Sequence, residues 1–178
     1  MELKYNNGIF IGRFQPLHNG HINIIEKMIE DYYDKKLNNI IICICDTPQP
    51  LNYEERIEMF KLYFKQDFIT YIFMPTFNNC DIWYDELIKR LYNVTKGNLI
   101  FYGHQKDVDK RKYTFRNIKY TGHYYGIFEL MKHGVVYLSN YKNINARDLK
   151  CCRKNAKLNT PEQIYIFLIK HNFFDKKI

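Results

Sequence analysis

The chain has 178 residues, 46% of them hydrophobic, and a formal net charge of +8. That length and apolar content suit one globular domain that buries its core without disulfides or metals, and they exclude an intrinsically disordered chain. The excess of 27 basic over 19 acidic residues suits an anionic partner, but the lysines are scattered rather than striped, as on an ordinary solvated surface.

Taken in order, strand-like and helix-like segments alternate. "GIFIG", residues 8–12, is a short apolar strand ended by glycine. "HINIIEKMIEDYYDKK" places Ile22, Ile25, Met28, Ile29 and Tyr32 at helical spacing. "NIIICIC", 39–45, is a continuous β-branched run, the pattern of a strand buried on both faces. "NYEERIEMFKLYF" predicts a helix with Asn52 as N-cap and Glu55 completing a capping box. "ITYIFMP" is a third strand, "DIWYDELIKRLYNV" a third helix and "NLIFYG" a fourth strand, again ended by glycine. Beyond Gly103, "HQKDVDKRKYTF" reads as a polar loop or short helix, and "NIKYTGHY" and "GVVYLSN" as strands. "NARDLKCCRKN" reads as one short basic helix. "NTPEQIYIFLIKHNFF" reads as a last helix, with Thr160 as N-cap, Pro161 at the first position and Gln163 closing a capping box. Strands alternating with helices imply right-handed crossovers and an α/β, doubly wound parallel sheet. The C-terminal portion, about residues 144–178, is helical, and a single domain over 1–178 is expected.

Five cysteines, with no C-x-x-C pair, argue against a zinc or redox motif and for reduced thiols. Cys43 and Cys45 alternate with isoleucine and are expected on opposite faces of their strand. The N-terminus lacks a signal-peptide pattern and no apolar run is long enough to span a bilayer. A cytoplasmic protein with no membrane partner is therefore expected.

The chemistry concentrates at "GRFQPLHNGH", residues 12–21. In an open α/β sheet ligands bind beyond the C-terminal ends of the strands, where this turn falls. Gly12 and Gly20 allow close backbone approach, and Pro16 stiffens the turn. The following helix offers free N–H groups and the positive end of its dipole. His18 and His21, three apart, share a helical face, and Arg13 adds a fixed charge. The glycine spacing is neither G-x-G-x-x-G nor a P-loop. Such a cluster is suited to phosphate groups whose charge grows in a transition state.

"GRFQPLHNGH" resembles the HxGH nucleotidyltransferase superfamily. Within it the string is similar to nicotinamide-mononucleotide (NMN) adenylyltransferases of the archaeal type and of the branch often fused to a Nudix domain. "NYEERIEM", "YGHQKD" (102–107) and "INARDLK" (144–150) resemble later segments of those enzymes, in the same order. The resemblance implies a Rossmann-like nucleotidyltransferase fold, without a Nudix domain in this chain. It implies transfer of the adenylyl group of ATP to NMN, giving NAD and pyrophosphate. His18, His21 and Arg13 would be catalytic. ATP would be held by Gly12, Arg13, Phe14, His18, Gly20, His21, Gly103, Lys106, Asp107, Asn145, Arg147 and Lys150. NMN or NAD would meet Phe14, Gln15, Asp81, Trp83, Tyr84 and His104. Magnesium would ride on the ATP phosphates, with no metal site of the protein's own. No nucleic-acid partner is expected, and a homo-oligomer is allowed.

The chain departs from the family's pattern in three places, the first in the pyrophosphate segment and the other two on the acceptor side. Arg147 and Lys150 stand where the family has Thr and Arg, and a lysine is a point charge rather than a planar fork. In "CDIWYDELI", Asp85 and Ile88 stand where the family has Asn and a stacking Trp; Trp83 lies five residues earlier, free either to stack on the base or to join the core. The loop "DTPQPLN" has no basic residue; the nearest is Arg56, whose ordinary role would be an ion pair with neighbouring glutamates. Two other readings stay open: the same fold with another acceptor (pantetheine phosphate, FMN or a phospho-alcohol), and a non-catalytic nucleotide- or nucleic-acid-binding protein. Class I aminoacyl-tRNA synthetases also carry H-x-G-H, but the chain is short and has no K-M-S-K-S-type motif.

Overall fold

β1 (Asn6–Gly12) lies at the centre of a parallel sheet because every second residue serves a different core. Ile9 and Ile11 face one apolar layer and Phe10 faces the other. A computed structural model describes residues 6–47, 50–105, 112–115, 118–121 and 136–176. β1 is followed by α1 (Asn19–Tyr33), β2 (Asn39–Cys45), α2 (Tyr53–Tyr63), β3 (Ile69–Met74), α3 (Cys80–Val94) and β4 (Asn98–His104). Then come a hairpin of β5 (Lys112–Phe115) and β6 (Ile118–Thr121), strand β7 (Val136–Ser139), and helices α4 (Ala146–Cys151), α5 (Arg153–Asn159) and α6 (Glu162–Lys170).

The main sheet runs β3-β2-β1-β4-β7, all parallel. The chain winds from β1 outward to β3, then returns to place β4 on the other side of β1, so the switch point lies between β1 and β4. Phe10 pairs with Tyr102, which puts Gly12 level with His104 at the C-terminal edge, and His104 is opposite Ser139 of β7. One face carries α1, α2 and α6, with Ile25, Met28, Phe60 and Phe167 against Phe10, Ile42 and Ile44. The other carries α3, with Tyr84, Leu87 and Leu91 against Ile9, Ile11 and Ile41. Each such side chain contributes roughly 1.5–3 kcal/mol when fully buried.

Asn52 and Glu55 form the expected capping box at α2, with Oδ1 of Asn52 accepting from Glu55 N and the Glu55 carboxylate accepting from Asn52 N, both at 2.8 Å. Elsewhere the expectations need correction. Cys43 and Cys45 are two apart and so share a face: both belong to the α3-side layer, as free thiols. Part of the expected polar loop or helix is a strand: residues 112–115, rich in β-forming Tyr, Thr and Phe, pair antiparallel with 118–121. The basic helix is two helices, broken at Cys152, whose backbone is extended (φ −142°, ψ 105°). Thr160 does not cap α6: its hydroxyl donates back to Ala156 O at 2.8 Å, closing α5. Pro161 takes the N-cap position of α6 with no side-chain cap bond, so the box with Gln163 is not formed. No helix among the described residues is long and apolar enough to cross a membrane.

Candidate active site

The turn after β1 is held by packing before it is held by any ligand. Phe14 sits in the left-handed region (φ 52°), a conformation that costs a non-glycine residue roughly 1–2 kcal/mol. Its ring is buried edge-on against Phe10, Phe60 and His21, with centroids 5.2, 4.9 and 5.0 Å away. Gly12 is required by that ring: a Cβ there would lie 2.9 Å from it. Phe14 therefore reaches the site only through its backbone. The Gln15–Pro16 peptide is cis. The Gln15 amide is committed to Leu51, accepting from its N–H at 3.1 Å and donating to its carbonyl at 2.5 Å.

His18 ends the turn and starts the helix. Its backbone is extended, and Nδ1 accepts from Gly20 N at 3.2 Å as the N-cap of α1. That bond places the neutral ring's proton on Nε2, so Nε2–H is the donor His18 offers. The ring is only 2% exposed and is stacked on His21, centroids 3.7 Å apart and 20° from coplanar. A Cβ at Gly20 would come 3.1 Å from the His18 ring, which explains the glycine of H-x-G-H. His21 is half-buried and Arg13 exposed.

The late segment folds back onto this turn. Ile144 reaches within 3.9 Å of a Cβ built at Gly20. Ser139 donates to Asn23 of α1 at 2.8 Å and accepts from Tyr141 N at 3.1 Å. His104 donates from Nε2 to Tyr141 O at 2.5 Å, so this ring nitrogen ties β4 to the segment after β7. Asn145 N-caps α4 by accepting from Arg147 N at 3.0 Å, and the Arg147 side chain is exposed. Lys150, half-buried on α4, has its ammonium pulled below the ordinary 10.5 by burial first and by the Arg13 charge second. The Arg13 charge is therefore felt at Lys150, and an anion bound near both relieves that repulsion.

Other expected residues fall elsewhere. Asp81, Trp83 and Tyr84 occupy the first turns of α3, which follows β3 and packs on the layer that includes Ile9 and Ile11 of β1. They share the sheet's C-terminal end with the histidine turn. Tyr84 is buried in the α3-side core, and Trp83 is partly buried against the same layer. Gly103 lies in β4 opposite Leu138. Lys106 and Asp107 are outside the described residues. Arg56 corrects the expectation of an ion pair. It is 1% exposed and donates to the carbonyls of Asn52, Arg13 and Cys45, while Glu55 bonds Asn52, His171 and Lys176. Asn23, Ser139 and Tyr141 were not singled out from the sequence; they are ordinary polar residues whose proximity only the sheet order creates.

A doubly wound parallel sheet with a cationic, histidine-bearing turn beyond its switch point defines a nucleotide-binding α/β protein. The family described as cytidylyltransferase-like matches residues 9–125, and the chain belongs to this nucleotidyltransferase family. Two solved structures share the fold over nearly their whole length. A Plasmodium falciparum nicotinic acid mononucleotide adenylyltransferase complexed with APC is 14% identical, with a TM-score of 0.59 over 97% of this chain and 98% of that one. A putative nicotinate-nucleotide adenylyltransferase from Vibrio parahaemolyticus is 12% identical, with a TM-score of 0.63 over 97% of each.

Proposed function

We propose that this nucleotidyltransferase adenylates nicotinamide mononucleotide. The NMN 5′-phosphate oxygen attacks the α-phosphorus of ATP, the bond from that phosphorus to the bridging oxygen of the β-phosphate breaks, and NAD and pyrophosphate are formed. The observation that carries this is the stacked pair of histidine rings at the start of α1, at the C-terminal end of the sheet beside its switch point. The nucleophile is already ionised at neutral pH, so no side-chain base is needed. What the site must supply is position and positive charge as negative charge shifts onto the leaving pyrophosphate. His21 and the Nε2–H of His18 serve as donors to the triphosphate. Arg13, Lys150 and the N-terminal turn of α4 hold the leaving pyrophosphate, and Trp83 is the residue at the α3 start able to stack on a pyridine ring. Mg²⁺ would be held mainly by the phosphate oxygens of ATP and would screen their charge.

Both structural relatives are described as acting on the nicotinate form of the mononucleotide, so the test includes both pyridines. Purified protein is incubated with ATP and Mg²⁺ plus NMN, nicotinate mononucleotide, pantetheine phosphate or FMN, and with CTP plus a phospho-alcohol. NAD and pyrophosphate in equal amounts from NMN are expected. Product only from a non-pyridine acceptor, or salt-sensitive RNA binding with no pyrophosphate from any mixture, overturns the proposal.

A further inference from the structure

Arg56 is among the largest fully buried side chains, yet it lies on α2, outside the histidine turn. Its Nε donates to Asn52 O at 3.1 Å, and its Nη1 donates to Arg13 O at 2.9 Å and to Cys45 O at 2.6 Å. These carbonyls belong to three chain ends: the residue after β1, the last residue of β2 and the N-cap of α2. The Arg13 and Cys45 carbonyls lie where β1 and β2 end, and the Asn52 carbonyl, which also accepts from Arg56 N at 3.1 Å, starts α2. One rigid, always charged fork reaches all three at once; a lysine, with a single nitrogen, does not. Gln15 makes a second clamp, from the same turn to Leu51.

We propose that Arg56 is a positioning residue for adenylyl transfer, holding the Arg13 peptide so that the Arg13 side chain is aimed at the phosphates. The inference rests on the proposed function. By fixing the Arg13 carbonyl toward α2, it sets the direction in which the exposed Arg13 side chain leaves the turn. The same guanidinium joins that turn to the end of β2 and the start of α2. A misplacement of 1 Å at such a point is enough to cost about 10²-fold in rate.

The test compares wild type with Arg56→Lys, Arg56→Gln, Arg13→Gln and the Arg13→Gln/Arg56→Lys double variant. Thermal unfolding reports the fold, steady-state kinetics give kcat and KM for ATP, and calorimetry gives affinity for inorganic pyrophosphate. Positioning predicts that kcat per folded molecule falls about 10²-fold in Arg56→Lys while KM for ATP changes less than about 5-fold. It also predicts a non-additive cycle: once Arg56 is replaced, removing Arg13 costs less than about 3-fold more, in kcat and in pyrophosphate affinity alike. Wild-type kcat in folded Arg56→Lys, or full additivity with Arg13, overturns the proposal. If Arg56→Lys and Arg56→Gln both unfold where wild type is folded, Arg56 serves the fold alone and the proposal likewise fails. A wild type that makes no dinucleotide sinks the functional reading instead, and the pyrophosphate cycle still decides whether Arg56 places Arg13.

Discussion

His18 combines two tasks in one ring: Nδ1 caps α1 through Gly20 N, and Nε2 is left to carry the donor hydrogen. The tasks separate by substitution. His18→Ala removes both, and we expect a loss of about 1 kcal/mol in stability from the missing cap together with a fall of roughly 10²–10³ in kcat. His18→Asn restores a capping oxygen, so its melting temperature should return toward wild type while kcat stays low. His21 has no capping role, so His21→Ala should lose turnover while stability falls by no more than its lost ring packing, about 0.5–1.5 kcal/mol. Full activity in His21→Ala would show that the ring only packs against Phe14 and His18. The meeting of the two rings was readable from "RFQPLHNGH", because their spacing puts both on one turn. Arg56 was not. An arginine beside glutamates reads as an ion pair, and the carbonyls it serves belong to strand ends that meet only in the folded sheet.

At the far end of α1 the chain buries a carboxylate. Asp31 accepts from Lys27 at 2.6 Å, Lys36 at 3.3 Å and the Tyr102 hydroxyl at 2.7 Å, fastening the helix to β4. Burial alone would push the Asp31 carboxyl up, but the bonds from Lys27, Tyr102 and Lys36 outweigh it and hold the group below its ordinary 3.8. The folded value is lowered, so the stability it contributes is present above pH 3.8 and is lost as the pH falls through the folded value. Asp31→Asn should be less stable at pH 7 by about 1.5–3 kcal/mol, the worth of bonds to a charged group. Thermal unfolding from pH 7 down to pH 3 checks this: the gap between wild type and variant should close only below about pH 4. A gap that is the same at every pH would mean the loss comes from packing, not charge. Elements in the first hundred residues were legible because apolar period and caps agree, as at Asn52 and Glu55. The C-terminal helices were not, because nothing in "KCCRK" marks a break, and the extended backbone at Cys152 comes with two short helices sharing a small core through Leu149 and Ala156.

Over the whole molecule, alternation of strand and helix revealed the class of fold, while the order β3-β2-β1-β4-β7 depends on pairings between strands far apart in the chain and is absent from any local pattern. Trp83 was hardest to read for that reason: it partly joins the α3-side core, a layer built from strands far apart in the chain. The same long-range folding lets the Arg13 charge act on Lys150, and this has a measurable consequence. Burial and then Arg13 depress the Lys150 ammonium below 10.5, and an anion bound between the two cations raises it again. Binding therefore favours the protonated lysine: pyrophosphate affinity should be full at neutral pH and weaken as the pH rises through the lowered Lys150 value. Lys150→Met should bind more weakly at neutral pH and lose the part of the alkaline fall that belongs to the lysine. Arg13→Gln should also bind more weakly, but its alkaline fall should move to higher pH, because the neighbouring charge that depressed Lys150 is gone. Calorimetric titrations with pyrophosphate between pH 7 and 11, at fixed ionic strength because the cations are partly exposed and screened by salt, measure both shifts. If Arg13→Gln leaves the position of the alkaline fall where wild type has it, the two charges do not share one anion, and the pyrophosphate grip assigned to Lys150 is wrong.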